Sequence, residues 1–357
     1  MNFVNEPNKM MRFERSGFLF GKNIINISQR TLFSERSLNL EGFRKARLNF
    51  RIHKNDDHLN YEIKHSTIPA LVNSTKLWTL ATSKTDEHIN ILRQSLIQIY
   101  ANTADIKDQG DINGLYHLGP MTMCTFHHLD MPEKALEFYH EFNNQFFDTN
   151  RTALILMDLL FEHERYNDLL DVYRIRLAQR QREPTYAHRI CFNAACYKLN
   201  TSEAFQYAIN EWIQHKSDPS LHFVAMLAFN QKKFDDALRL LGNNDFLTAI
   251  NIKLLVMTEL NDWKGVCDLL YKIKTNRSIE KDYRISTEVF QQIRRSLVLS
   301  KPNLSTYEWD RCHRALVQIQ HLNELILIPK KMDDILCSTI NLKHARPKQS
   351  ELHRFIL

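Results

Sequence analysis

One phrase recurs through the middle of the chain at a nearly fixed period, and it constrains the fold more than any other feature. The phrase is an apolar helix, a short polar turn, then a second helix that carries a small or aliphatic residue three places after its start. The five instances begin MCTFHHLDMPEKALEFY, LMDLLFEHERYNDLLDVY, CFNAACYKLNTSEAFQYA, VAMLAFNQKKFDDALRLL and KLLVMTELNDWKGVCDLL. Aligned on that residue, the anchors are Ala135, Leu169, Ala204, Ala237 and Val266, spaced 34, 35, 33 and 29 residues apart. Nine places earlier stand Phe126, Leu160, Ala195, Ala228 and Met257; four places later stand Tyr139, Tyr173, Ala208, Leu241 and Leu270. The anchor and the position four after it share one helical face. Each second helix is therefore expected to bury that stripe against its own first helix and the next unit. A single hairpin cannot cover both faces, so the period predicts a stack of hairpins.

Composition agrees. The 357 residues include only 8 glycines, which disfavours phosphate-cradling loops and tight β-turns. Hydrophobic residues at 43 % and charged ones at 25 % suit a chain that buries a core. The turns are expected to use Asp, Asn, Thr and Pro, as at Asn200–Thr201–Ser202 and Asn261–Asp262. The longest apolar run, 152–161, is about half of what a membrane span needs, so no span is expected.

The amino-terminal region differs in character. Residues 9–54 hold eleven Lys/Arg against Glu14, Glu35 and Glu41, interleaved with Phe13, Phe18, Leu19, Phe20, Ile24, Ile25, Leu32 and Phe33. Basic, amphipathic and poor in acids, this reads as a mitochondrial transit peptide over 1–35 with cleavage near Phe33–Ser34 and a matrix location; the alternative is a disordered basic tail. Glu6 and Pro7 fit it poorly, and a start at Met10 or Met11 would remove them. Six cysteines, none at CxxC spacing, predict buried free thiols in a reducing compartment.

The stretch R-Y-N-D-L-L-D-V-Y at 165–173, with K-F-D-D-A-L-R-L-L at 233–241 and P-E-K-A-L-E-F-Y at 132–139, resembles the pentatricopeptide pattern G-R-x-x-E-A-x-x-L-F. The tetratricopeptide signature W-x2-L-G-x2-Y is missing from every unit. The stretches at 30–36, 154–161, 195–205, 283–290 and 333–337 are similar, in the same order, to animal mitochondrial pentatricopeptide-repeat proteins. That resemblance covers most of the chain and is weakest over 41–110. It implies an all-α, right-handed α/α solenoid: a helical cap over 36–115, about five repeats over 116–275, a second helical cap over 276–342 and a basic tail over 343–357.

It also implies a non-catalytic mitochondrial protein that binds single-stranded RNA in RNA maturation and processing, and thereby serves the respiratory chain. Such arrays read about one base per unit with two or three side chains. The base-reading positions here are Pro120, Leu154, Arg189, His222 and Asn251, of which only the last three could hydrogen-bond a base; Thr149 departs from the expected Asn or Asp. Phosphate contacts would come from Arg174, Arg176, Arg180, Arg182 and Arg189, and from Lys272, Lys274, Arg277, Lys281, Arg284, Arg294 and Arg295, though solvated helix faces remain the alternative. Tyr166, Phe234 and Trp263 could stack bases, but their regular place beside the anchors favours the core.

The code is not legible, so a protein–protein scaffold on a mitochondrial ribosome or RNA-processing complex stays open beside RNA binding. No HExxH, GxSxG, P-loop or GxGxxG motif occurs, and no enzyme, cofactor or metal is expected. His127–His128 reads as the exposed end of a first helix. Asp235–Asp236 reads as the acidic start of a helix, where acids favour the dipole.

Overall fold

The computed structural model describes residues 32–52, 67–103, 114–142, 147–178, 184–215, 218–275, 284–322 and 326–338. Among the described residues the regular structure is helical apart from one two-residue parallel pairing. The five expected hairpins are α4/α5 (Leu115–Leu129, Pro132–Phe142), α6/α7 (Asn150–Glu162, Tyr166–Ala178), α8/α9 (Tyr186–Leu199, Ser202–His215), α10/α11 (Asp218–Asn230, Phe234–Leu241) and α12/α13 (Leu247–Glu259, Trp263–Thr275). Before them come α1 (Leu40–Ile52) and the pair α2/α3 (Ile68–Ala81, Asp86–Thr103). After them come β1 (Ile285–Ser286), α14 (Thr287–Ser300), a short 3-10 turn, α15 (Thr306–His321), β2 (Leu327–Ile328) and α16 (Met332–Ser338). Both flanking regions thus contain a helical pair of the same kind.

Each first helix touches its own second helix, and from α6 through α12 also the second helix of the unit before. The first helices also touch in series, from α4 through α6, α8, α10 and α12 to α14. They form the middle of the protein, which explains why they are apolar on nearly every face. All five anchors are at most 2 % exposed, and so are all five residues four places later. A first helix packed on several sides requires small residues where neighbours approach, hence Ala194, Ala195, Ala225 and Ala228 at 0 % exposure.

The turn inside each hairpin has one recurring geometry. Asp130, Glu164, Lys232 and Asn261 take the left-handed conformation (φ near 57–58°), and Asn200 does so one place later in its unit. The next residue's amide then reaches back to the carbonyl nine places before the anchor: Met131 to Phe126 (3.0 Å), Arg165 to Leu160 (2.9 Å), Lys233 to Ala228 (2.9 Å) and Asp262 to Met257 (2.9 Å). This ends the first helix and satisfies its last carbonyls. It is achieved with non-glycine residues, which cost about 1 kcal/mol each in this conformation. The aromatic or proline three before the anchor is the first residue of the second helix in four units, namely Pro132, Tyr166, Phe234 and Trp263. Proline there loses no helical hydrogen bond.

The ends are tied down by their own flanking segments. Leu32 and Phe33 are buried at 2 % and 1 % exposure, and Arg151 donates to the Leu38 carbonyl at 3.2 Å. This corrects the expectation of a disordered leader reaching to residue 35: cleavage near Phe33–Ser34 would remove two core side chains, whereas residues 1–31 lie outside the described residues. Arg47, buried in α1, donates to the Thr79 and Thr82 carbonyls at the end of α2. At the other end, β1 pairs with β2, the Met332 amide donates to Glu288 at 2.7 Å, and Asp333 of α16 accepts from Tyr197 (2.5 Å) and Lys198 (2.7 Å) of α8. The expected tail 343–357 lies outside the described residues.

Cys267 of α13 and Cys312 of α15 form a disulfide, with their Cα atoms 5.3 Å apart. The expectation of six free thiols is corrected there, because two second helices that the sequence separates by 45 residues lie side by side. Cys124, Cys191 and Cys196 are buried free thiols. Among the described residues no helix is long and apolar enough to cross a membrane.

Candidate functional site

The proposed base-reading positions fall inside the protein. Asn251 is fully buried on α12; its amide nitrogen donates to the Leu247 and Arg284 carbonyls (2.8 and 3.1 Å), and its oxygen accepts from the Ser286 amide (2.7 Å). It is a clamp between α12 and the start of α14, and it has no edge left to offer a base. His222 is 5 % exposed, near the Phe246 ring, and burial lowers its pKa from 6.5 to about 4, so it stays neutral. Pro120 is buried within α4. Arg189 is partly exposed, but its guanidinium faces Glu211 at 3.4 Å. Thr149 caps α6, its hydroxyl accepting from the Thr152 amide at 3.1 Å. For Asn251 and His222 the base-reading expectation is corrected: the first helices that would present them are packed from several sides.

The expected phosphate ligands divide. Arg176 is fully buried, paired with Asp148 and donating to Asn150 Oδ1 at 2.7 Å, so that expectation is corrected too. Arg174 is half exposed; it pairs with Asp171 at 2.9 Å and its guanidinium lies 5.0 Å above the Tyr207 ring. Lys272 pairs with Asp245 at 2.8 Å, and Lys274 donates to Gln318 at 2.7 Å. Arg180, Arg182, Arg277 and Lys281 lie outside the described residues. Among the described residues, Arg174, Arg176, Arg189, Lys272 and Lys274 are thus already engaged; Arg284, Arg294 and Arg295 are exposed, Arg294 lying 6.0 Å from the Phe290 ring.

Lys272 and Asp245 also line an open groove of about 510 Å³ with Lys253, Asp268 and Leu269. Lys253 donates to the Asn244 carbonyl at 2.7 Å, and burial lowers its pKa. Trp263 is buried, while Tyr166 and Phe234 pack against the core, as their position beside the anchors suggested. Asp235 and Asp236 sit in the first turn of α11.

One constellation of side chains is announced by no sequence motif. His127 is 8 % exposed and faces the next unit, contrary to the expected exposed helix end; only His128 beside it is exposed. Its Nε2 lies 3.3 Å from Asp158 Oδ2 and 3.7 Å from Glu162 Oε2, both on α6. Asp158 is fully buried, and its Oδ1 accepts from the Phe33 amide at 3.3 Å. Burial raises the Asp158 carboxyl, against the hydrogen bonds from His127 and from the Phe33 and Leu32 amides. Burial alone would lower the His127 imidazole, but the Asp158 hydrogen bond and the two carboxylate charges leave it raised. Burial pushes Glu162 up to about 7. The available signal was an aspartate in the middle of the apolar run LILMDLLF, where an unpaired carboxylate would be costly.

Compared with protein-family models, with curated proteins and with solved structures, the chain finds no match.

Proposed function

We propose that this chain is a non-catalytic binding protein whose helical pairs stack as a right-handed solenoid of the pentatricopeptide type. It acts in mitochondrial RNA maturation, and so in respiratory-chain function, by engaging a protein component of the processing machinery rather than by reading RNA bases. The observation that carries the mode of binding is the commitment of the base-reading positions: Asn251 and His222 are buried, and Arg189 faces Glu211. The mitochondrial role rests on the amphipathic basic character of residues 9–31 and on the ordered resemblance along the chain.

Crosslinking and sequencing of RNA bound in intact mitochondria tests the reading. Recovery equal to an untagged control, with a stable protein complex retained, is the expected result. Sequence-specific RNA recovered well above control would overturn it. Import of the full chain, lost on deletion of residues 1–31, tests the location independently.

A second reading is direct, sequence-tolerant binding of single-stranded RNA. It is favoured by Arg174 above the exposed Tyr207, which together offer a cation and a ring face. In that case affinity for a single-stranded oligonucleotide falls steeply with salt.

A further inference from the structure

We propose that His127, Asp158 and Glu162 form a binding site for a divalent first-row metal ion of the zinc class, set between the first helices of adjacent repeat units. One ligand-capable atom from each residue lies within 4.8 Å of the others, and Nε2 of His127 stands 3.3 and 3.7 Å from one oxygen of each carboxylate. With two spacings of 3.3 and 3.7 Å and the third no more than 4.8 Å, a point equidistant from the three atoms lies at most about 2.4 Å from each. Zinc binds imidazole nitrogen and carboxylate oxygen at roughly 2.0–2.2 Å, which puts ligand atoms about 3.3–3.6 Å apart in a tetrahedron. The two spacings of 3.3 and 3.7 Å are close to that, and a small movement of the Glu162 side chain, 23 % exposed, sets the third.

Charge favours the same occupant. Two carboxylates face one imidazole, and burial reaches 0 % exposure at Asp158. With both carboxylates ionised, a protonated imidazole leaves the group one negative charge in excess, whereas a divalent ion on a neutral imidazole balances both. Two oxygens and one nitrogen are too few, and of the wrong mixture, for calcium, which takes six to eight oxygens; borderline ions such as zinc accept this set. The supporting shell is also present. The Phe33 amide holds the oxygen of Asp158 that faces away from His127, fixing the carboxylate as metal-site partners do. The Asp130–His163 pair (2.6 Å) lies close enough to act electrostatically on Glu162. A zinc ion with three protein ligands takes water as its fourth.

An ion here ties α4 to α6 and, through Asp158, to the segment at Leu32–Phe33. Metal occupancy would thus fasten the amino-terminal segment onto the first two units. The site goes beyond the proposed function and does not depend on it.

The test is titration of untagged, metal-free full-length protein with Zn2+ by calorimetry, with Co2+ absorption as a second readout. One equivalent per chain, a higher melting temperature with metal, and the intense visible d–d bands of four-coordinate Co2+ without a thiolate charge-transfer band are expected. Glu162→Gln, at a partly exposed position, should leave the metal-free melt unchanged and weaken binding at least tenfold; His127→Asn should abolish it. No binding overturns the proposal, leaving a protonated His–carboxylate cluster. So does binding that survives both substitutions, which would place the ion elsewhere, such as at Asp130–His163.

Discussion

Replacing Arg176 by methionine separates a structural role from the RNA role that the sequence suggested. The guanidinium is fully buried, pairs with Asp148 and donates to Asn150 at 2.7 Å, so Arg176→Met removes one partner of a buried pair and keeps most of the side-chain volume. Breaking such pairs costs about 3–5 kcal/mol because a charge is left without compensation. Asp148 retains 23 % exposure and can draw on water, which places the cost near the lower end, about 3 kcal/mol. For a chain of this size that corresponds to roughly 6 °C in the unfolding midpoint, at about 2 °C per kcal/mol. The assay is thermal and urea unfolding of wild type, Arg176→Met and the double variant Arg176→Met/Asp148→Leu. The double variant should recover most of the loss, because no lone carboxylate remains. An unchanged melt for Arg176→Met, together with weaker polyanion binding and a shallower salt dependence, would refute the reasoning.

His188 and His222 are both lowered by burial from 6.5 to about 4. The unfolded chain takes up their protons near pH 6.5 and the folded chain only near 4. Stability is therefore complete above 6.5 and is lost as pH falls from 6.5 to 4, by up to about 1.4 kcal/mol per pH unit for each histidine. In urea unfolding across that range, His222→Phe should remove one proton's worth of the slope; an unaltered slope would contradict the buried neutral imidazole. Lys232 takes φ 58° at an exposed turn, so Lys232→Gly should raise stability by about 1 kcal/mol in the same assay, and a loss would show that the turn tolerates lysine without strain. Burial pushes the Cys124 and Cys196 thiols up to about 12, so both should resist alkylation in the native protein and react on unfolding. Joining Cys267 to Cys312 across 45 residues should contribute about 4 kcal/mol, read as the stability difference between wild type and Cys267→Ser under oxidising conditions.

The hairpin array was legible because its signal is local. Burial of the anchor and of the residue four places on follows from which face of a single helix is apolar, and every one of those ten positions is buried. Helix starts at Pro132, Tyr166, Phe234 and Trp263 were equally readable, since capping and first-turn chemistry depend on neighbours in sequence. What a side chain meets across two units was not readable. That depends on how far each first helix is rotated toward the next, and a periodic pattern is silent about rotation. Asn251, His222 and Arg176 looked like ligands because they are polar; packing made Asn251 a clamp, buried the His222 ring and left Arg176 in a buried pair. The packing of first helices turned His127 toward Asp158 and Glu162, that of second helices brought Cys267 beside Cys312, and Leu32 and Phe33 joined the core. Sequence alone determined the repeating unit and its buried stripe. Only the tertiary structure decided which polar groups face one another between units, because those contacts join residues about 30 or more positions apart whose meeting is set by helix packing angles rather than by helical periodicity.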